Sequence, residues 1–444
     1  MQANLPTTFH STLWQMISGG LLLVLASTTA QAMPVFARQY DMSCAACHAA
    51  YPRLNAFGEQ FRDNNFRLPN WREKTTVDTK DDMLALPKFP PLAIRAQAYA
   101  QYRQAREVDT ADPASPTYYN GFSDNNAETD FQAPYLIKLL SSAPLSDHIT
   151  YYFYGIFAEK GDNGTTVIED AWFRHDDSFG TGVGTMLGQF QVSDLMFARE
   201  TRLSFQDFMA YRFAGITYER GLLFDRSFGP VSFGLGAVNG NGTDANYDLN
   251  SPGYSRPDNM FDNDNSKSVF GRIGVDIGPV NVGAFGLTGQ QKSLDTVADP
   301  VGTTPGTRDT DKLVAGADIS GTIANKFYWF AQGLWNNWQG FLDADPTQNY
   351  RWFGGFAGID YVHSDRWTYS LLYNYADAND LENTGTIYEG INMNTLTFTA
   401  SYYFMRNVKG VIEITGDFQE ETPGDFTAHP TKEGYVLVGF DAAF

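Results

Sequence analysis

Cysteine is nearly absent. The 444-residue chain has two, three positions apart, so no disulfide framework can be built from it. Basic residues are also in deficit: 31 Lys and Arg stand against 51 Asp and Glu, for a formal net charge of −20. That balance argues against nucleic-acid binding, which needs cations against phosphates. No segment reaches the roughly 18 uninterrupted apolar residues of a membrane-spanning helix. What is abundant is aromatic and glycine: 34 Phe, 24 Tyr and 41 Gly. High aromatic content without a spanning helix suits an outer-membrane β-barrel.

Residues 1–32 read as a secretory signal. Leu21-Leu22-Leu23-Val24-Leu25-Ala26 forms its apolar core, and Ala30-Gln31-Ala32 supplies a small-x-small cleavage site, although residues 1–19 contain no Lys or Arg.

Both cysteines fall in Ser43-Cys44-Ala45-Ala46-Cys47-His48. C-x-x-C-H is the attachment signature of a c-type haem: the two thiols add to the vinyl groups, and the histidine is placed to ligate the iron. A thioredoxin-like pair would need a strand-to-helix junction in a βαβ unit, and nothing nearby alternates in that way. Pro52 suits the first turn of a helix. Leu54, Phe57, Gly58 and Phe61 then share one face, and Asn64-Asn65 can end the helix in a left-handed conformation. That face either packs on the haem edge or forms a small core of its own.

No other histidine lies between residues 33 and 147, which leaves the sixth iron ligand open. Met83 is the expected ligand, because Met42 is only two residues before Cys44; the amine of a new N-terminus at Met33 is the other choice. The cytochrome-like domain, residues 33–68, is too short to wrap a haem. Residues 69–91, with Pro69, Pro87, Pro90 and Pro91, read as a linker.

From residue 92 to residue 444, segments of about ten to fifteen residues alternate in polarity. In Thr395–Phe404 the Leu, Phe, Ala, Tyr, Phe set is expected to face lipid and the Thr and Ser set a polar lumen. About sixteen antiparallel strands are expected, from 92–106 to 434–444, with one at 208–219. Connections alternate between tight (Gly278-Pro279, Ser364-Asp365, Arg406-Asn407) and long (107–130, 240–266, 421–433). Short periplasmic turns and long extracellular loops are the bacterial outer-membrane pattern. Arg220–Gly229 is long for a periplasmic turn. Phe444 closes the alternating run Val436, Val438, Phe440, Ala442, Phe444, which resembles the terminal aromatic signature of outer-membrane barrels.

The third long connection, Ser193–Asp207, either folds into the lumen or caps the surface. Asp109, Asp112, Asp124, Glu128 and Asp130, and later Asp244, Asp248, Asp258, Asp262 and Asp264, make the long loops acidic. Such loops are expected to be solvated and to bridge lipopolysaccharide through divalent cations. His148, His175 and His363 fall at periplasmic strand ends, and the first two could meet a plug entering from below.

The segments Pro34-Val35-Phe36-Ala37-Arg38, Ser43–His48 and Pro52-x-Leu54-Asn55-x-Phe57-Gly58-x-x-Phe61, followed by a barrel, resemble the fused monohaem c-type cytochrome–porin family of outer-membrane iron oxidases. The specific match covers about residues 34–68; over the barrel it is architectural, helped by Gln189–Phe205. The resemblance implies a haem on Cys44, Cys47 and His48 in a domain that plugs the barrel. It also implies an Fe(II):cytochrome c oxidoreductase-like activity, in which extracellular Fe(II) gives one electron to the haem and a periplasmic c-type cytochrome or similar carrier collects it. Two other readings stand beside it. One is a porin-like channel with an accessory haem domain, biased toward anions by Arg95, Arg103, Arg199 and Arg202. The other is a conduit to an extracellular acceptor.

Overall fold

A computed structural model describes residues 35–68, 77–81, 83–84, 86, 91–103, 129–159, 167–240, 266–295, 305–377, 393–418 and 434–444. The signal segment, Met33, most of the 69–91 linker, and the side chains of Arg103 and of the acidic loop residues named above lie outside the described residues.

The N-terminal part comprises helices α1 (Val35–Tyr40), α2 (Cys44–Cys47) and α3 (Ala56–Asp63), with a two-strand hairpin of β1 (His48–Ala50) and β2 (Arg53–Leu54) between α2 and α3. Pro52 sits in the hairpin turn, not in a first helical turn. The helix begins later because Asn55 caps it, its Oδ1 accepting from Gly58 N at 2.9 Å. Asn65 takes a φ of 60°, the left-handed end expected of Asn64-Asn65.

The barrel strands are β3 (Leu92–Arg103), β4 (Thr129–Pro144), β5 (Ile149–Glu159), β6 (Val167–Ser178), β7 (Val183–Gln191), β8 (Tyr218–Phe228), β9 (Val231–Val238) and β10 (Ser268–Ile277). They continue with β11 (Val280–Leu294), β12 (Pro305–Ile323), β13 (Phe327–Trp338), β14 (Tyr350–Val362), β15 (Trp367–Asp377), β16 (Met393–Met405), β17 (Val408–Asp417) and β18 (Tyr435–Ala443). Each pairs antiparallel with its neighbours, and β18 closes on β3 from Tyr435↔Arg103 to Ala443↔Arg95. Phe444 extends the seam, exchanging backbone hydrogen bonds of 2.8 and 2.6 Å with Ile94. Closure leaves no unpaired edge, which a bilayer requires.

Side-chain direction decides between this barrel and a soluble sandwich, which alternation alone could not do. Phe398 is 43% exposed while its neighbours Thr397 and Thr399 are buried. Ile412, Ile414, Val438 and Phe440 likewise point outward. A continuous apolar exterior of this kind would be a liability in water and matches a lipid-facing belt.

One strand differs from its expected position. Residues 208–219 are not a strand: Met209–Ala214 form helix α4, ended by Gly215 at φ +58°, and β8 starts at Tyr218. The turn at Gly229-Pro230 is therefore tight, and residues 220–228, expected as part of a long turn, make up most of β8. An apolar run of this length reads equally as a strand or a buried helix; here it is buried inside the lumen. Residues 192–217 form an inward loop whose Val192, Phe208, Tyr211 and Ile216 are buried. Phe208 stacks on Phe356 of the opposite wall at 4.3 Å. The largest hydrophobic cluster among the described residues thus lies inside the barrel.

Candidate haem site in the lumen

The sequence brings both thiols and the histidine to one place by local geometry. Cys44 and Cys47 stand at i and i+3 on the single turn of α2, hence on the same side, and the chain turns into β1 at His48. Asn55 ties that turn to α3: its N donates to Cys47 O at 2.9 Å and its Nδ2 to Ala46 O at 3.0 Å. Gly58 is required at the crossing, since a Cβ there would lie 2.0 Å from Cys47 O.

This segment is inserted at the tight-turn end of the barrel. Arg53 pairs with Asp360 of β14, Arg67 donates to Ser146 O and Ile149 O, and Asn65 Nδ2 donates to Arg174 O at 3.3 Å. Tyr403 donates to Tyr51 O at 2.5 Å. Phe66 stacks on Tyr152 at 5.5 Å, and Tyr152 in turn on Trp172 at 5.0 Å.

Between the segment and the wall lies a cavity of about 870 Å³ lined by Cys44, Cys47 and His48, within the usual size range for cofactor sites. The donor set fits a c-type haem. Both thiols are free. His48 Nδ1 lies 3.0 Å from Pro52 O. A carbonyl only accepts, so Nδ1 carries the hydrogen and Nε2 keeps its lone pair, the tautomer a metal-binding imidazole needs. Burial lowers the His48 pKa, favouring that neutral form, and raises both thiol pKa values.

Met83 is placed elsewhere. It is 94% exposed, in a turn held by Asp81 Oδ1 accepting from Met83 N at 2.9 Å, and it does not line the cavity. Met42, Met186 and His148 do. His148 was one of the two histidines expected to meet an entering plug, whereas nothing in the sequence marked Met186, which reaches the cavity only through barrel closure.

The arginines proposed to attract anions are engaged. Arg95 pairs with Asp441 at 2.9 Å and Glu200 at 3.1 Å; Arg199 pairs with Asp207, and Arg202 lies 3.5 Å from the same carboxylate. Each of the three thus faces a carboxylate, and Asp207 is shared by Arg199, Arg202 and Arg212. Burial alone would raise the pKa of Glu200, but Lys138 and Arg95 hold it down at about 2.

Asp194, on the inward loop and lining the cavity, behaves oppositely: burial pushes it from 3.8 up to about 7. A carboxyl with its folded pKa raised contributes stability that is present below the unfolded pKa and is lost as pH rises through the folded one. Amide exchange of residues 192–207, corrected for intrinsic rates, is therefore expected to quicken between about pH 4 and about pH 7. Asp194→Asn should flatten that dependence; an unchanged profile in the variant would rule out Asp194 as its source.

No protein-family model matches the chain, and no curated protein matches it. Solved structures do. An anion-selective porin from Comamonas acidovorans is 13% identical over 80% of this chain and 98% of its own, with a TM-score of 0.50. Salmonella typhi OmpF, in complex with daunomycin, is 14% identical over 80% and 97%, with a TM-score of 0.52. OmpT of Vibrio cholerae in its trimer form is 11% identical over 80% and 98%, with a TM-score of 0.50. At these identities the likeness is one of fold: the chain is a sixteen-strand porin-like β-barrel of the bacterial outer-membrane type, with a short N-terminal helical stretch inside its tight-turn end.

Proposed function

We propose that this barrel passes electrons rather than solutes, through a c-type haem held on Cys44, Cys47 and His48. The observation that carries the reading is the shared cavity: the attachment motif faces a chamber inside the barrel, with His48 in the metal-binding tautomer. The inward loop packs Phe208, Tyr211 and Phe213 inside the barrel, and Phe66 of the N-terminal segment packs against the same cluster, which supports a sealed wall. A bound haem would supply a one-electron couple there. The protein's part is to hold the ring through two thioethers, orient His48 through Pro52, exclude water with Phe61, Tyr152 and Trp172, and set the surrounding polarity, all of which tune potential.

The donor rests on the family resemblance. Extracellular Fe(II) would be oxidised to Fe(III) with its electron passed inward and taken up by a periplasmic c-type cytochrome or similar carrier. Oxidising iron outside keeps insoluble Fe(III) out of the cell. A second reading, a porin-like channel with an accessory haem segment, is favoured by the fold shared with solute channels.

Three measurements on the purified full-length protein separate these. A pyridine haemochrome is expected to show covalently attached haem; its absence would sink the electron-carrying reading. Planar-bilayer recording is expected to give no steady large conductance, whereas such conductance would favour the channel. Rapid mixing with Fe(II) should reduce the haem. Attached haem that stays oxidised would remove Fe(II) as donor and leave the outward conduit.

A further inference from the structure

Three histidines besides His48 lie at the tight-turn end, and their hydrogen bonds distinguish them. His175 Nδ1 accepts from Asp177 N at 3.2 Å. In the neutral ring its hydrogen is then on Nε2, and it does not line the cavity. His363 Nδ1 meets Tyr361 Oη at 3.0 Å, and it too lies off the cavity. His148 lines the cavity, and its Nδ1 donates to Asp176 Oδ1 at 2.7 Å. A carboxylate on one ring nitrogen fixes the tautomer and leaves Nε2 as a more basic ligand, the arrangement that second-shell partners give to metal-bound histidines.

Other contacts hold this ring in place. His148 and His175 stack at 5.4 Å. The inserted segment grips the same turn: Asn65 Nδ2 donates to His148 O at 3.3 Å, and Arg67 reaches Asp176 at 3.9 Å. The segment thus contacts both the His148 turn and the carboxylate that orients its ring.

We propose that His148, from the barrel wall, is the sixth ligand of the haem carried by Cys44, Cys47 and His48. The cytochrome-like segment, too short to enclose a haem, would be completed by the barrel, and haem ligation would lock the plug to the wall. This rests on the haem reading, and the experiment keeps the two apart.

Purified wild-type protein and His148→Gly are first compared by pyridine haemochrome. Haem missing from the wild type overturns the haem reading and the ligand with it. With haem attached in both, the wild type is expected to show a low-spin bis-imidazole ferric spectrum. His148→Gly should become high-spin, bind carbon monoxide in the ferrous state, and regain the low-spin spectrum when imidazole is added. Rescue by imidazole separates lost ligation from general damage. An unchanged spectrum in His148→Gly overturns the assignment. So does a far-red thioether band in the wild type that disappears in Met186→Leu or Met42→Leu.

Discussion

Asp360→Ala is expected to loosen the N-terminal segment from the barrel. Asp360 is 1% exposed and holds Arg53, whose guanidinium also lies 5.5 Å from the Phe330 ring and 5.9 Å from that of Tyr328. Removing one partner of a buried pair leaves the other charge uncompensated, which costs about 3–5 kcal/mol. That cost falls on docking alone, because the β14 ladder is unaffected by a shorter side chain. Amide exchange across residues 48–63 should rise at least about a hundredfold, about 2.7 kcal/mol, and bilayer recordings should show new conductance. Arg53→Met combined with Asp360→Ala removes both charges and should recover much of the protection. A single variant as protected and as silent as the wild type would show that the plug is held by its other contacts.

The second large effect is expected from Glu413→Ala. Glu413, on β17, is fully buried and accepts four hydrogen bonds: from Phe205 N at 2.6 Å, Gln206 N at 2.8 Å, Thr399 Oγ1 at 2.6 Å and Tyr435 Oη at 2.7 Å. The first two pin the inward loop across the lumen. Without the carboxylate two backbone donors are stranded, at about 1–3 kcal/mol each. Exchange at Phe205 and Gln206 should accelerate on the order of tenfold or more, with the β17–β18 ladder unchanged. Loop protection equal to the wild type's would assign the anchoring to Asn374, whose Oδ1 accepts from Met209 N at 3.2 Å and whose Nδ2 donates to Asp207 O at 3.1 Å.

Strand number, the tight turns at Gly278-Pro279, Ser364-Asp365 and Arg406-Asn407 and the lipid-facing set of β16 could be read from the chain, because period-two alternation and turn residues are local. Residues 208–217 could not be. Phe208, Tyr211 and Phe213 are apolar whether they face lipid from a strand or pack as a helix within the lumen, and only Gly215 hinted at a helix end. The inward fold of Ser193–Asp207 was likewise undecided, since its partners Glu413 and Asn374 lie more than 160 residues away in sequence.

The candidate site divides in the same way. Cys44, Cys47 and His48 follow from the sequence alone, since their chemistry is written in one helical turn and the residue after it. Asn55 as the helix cap, and Pro52 as the carbonyl that sets the His48 tautomer, needed the folded hairpin. Met83 was chosen by distance along the chain, and solvent exposure removes it from the cavity. Met186, Arg95 and Lys138 belong to the lumen because a closed barrel turns alternate residues of distant strands toward one axis, while Asp194 and Glu200 arrive on the inward loop and His148 on the turn between β4 and β5. By itself the sequence determined a haem-type motif and a barrel to follow it. Only tertiary closure decided what surrounds the motif, because register and curvature bring together residues that share no local signal.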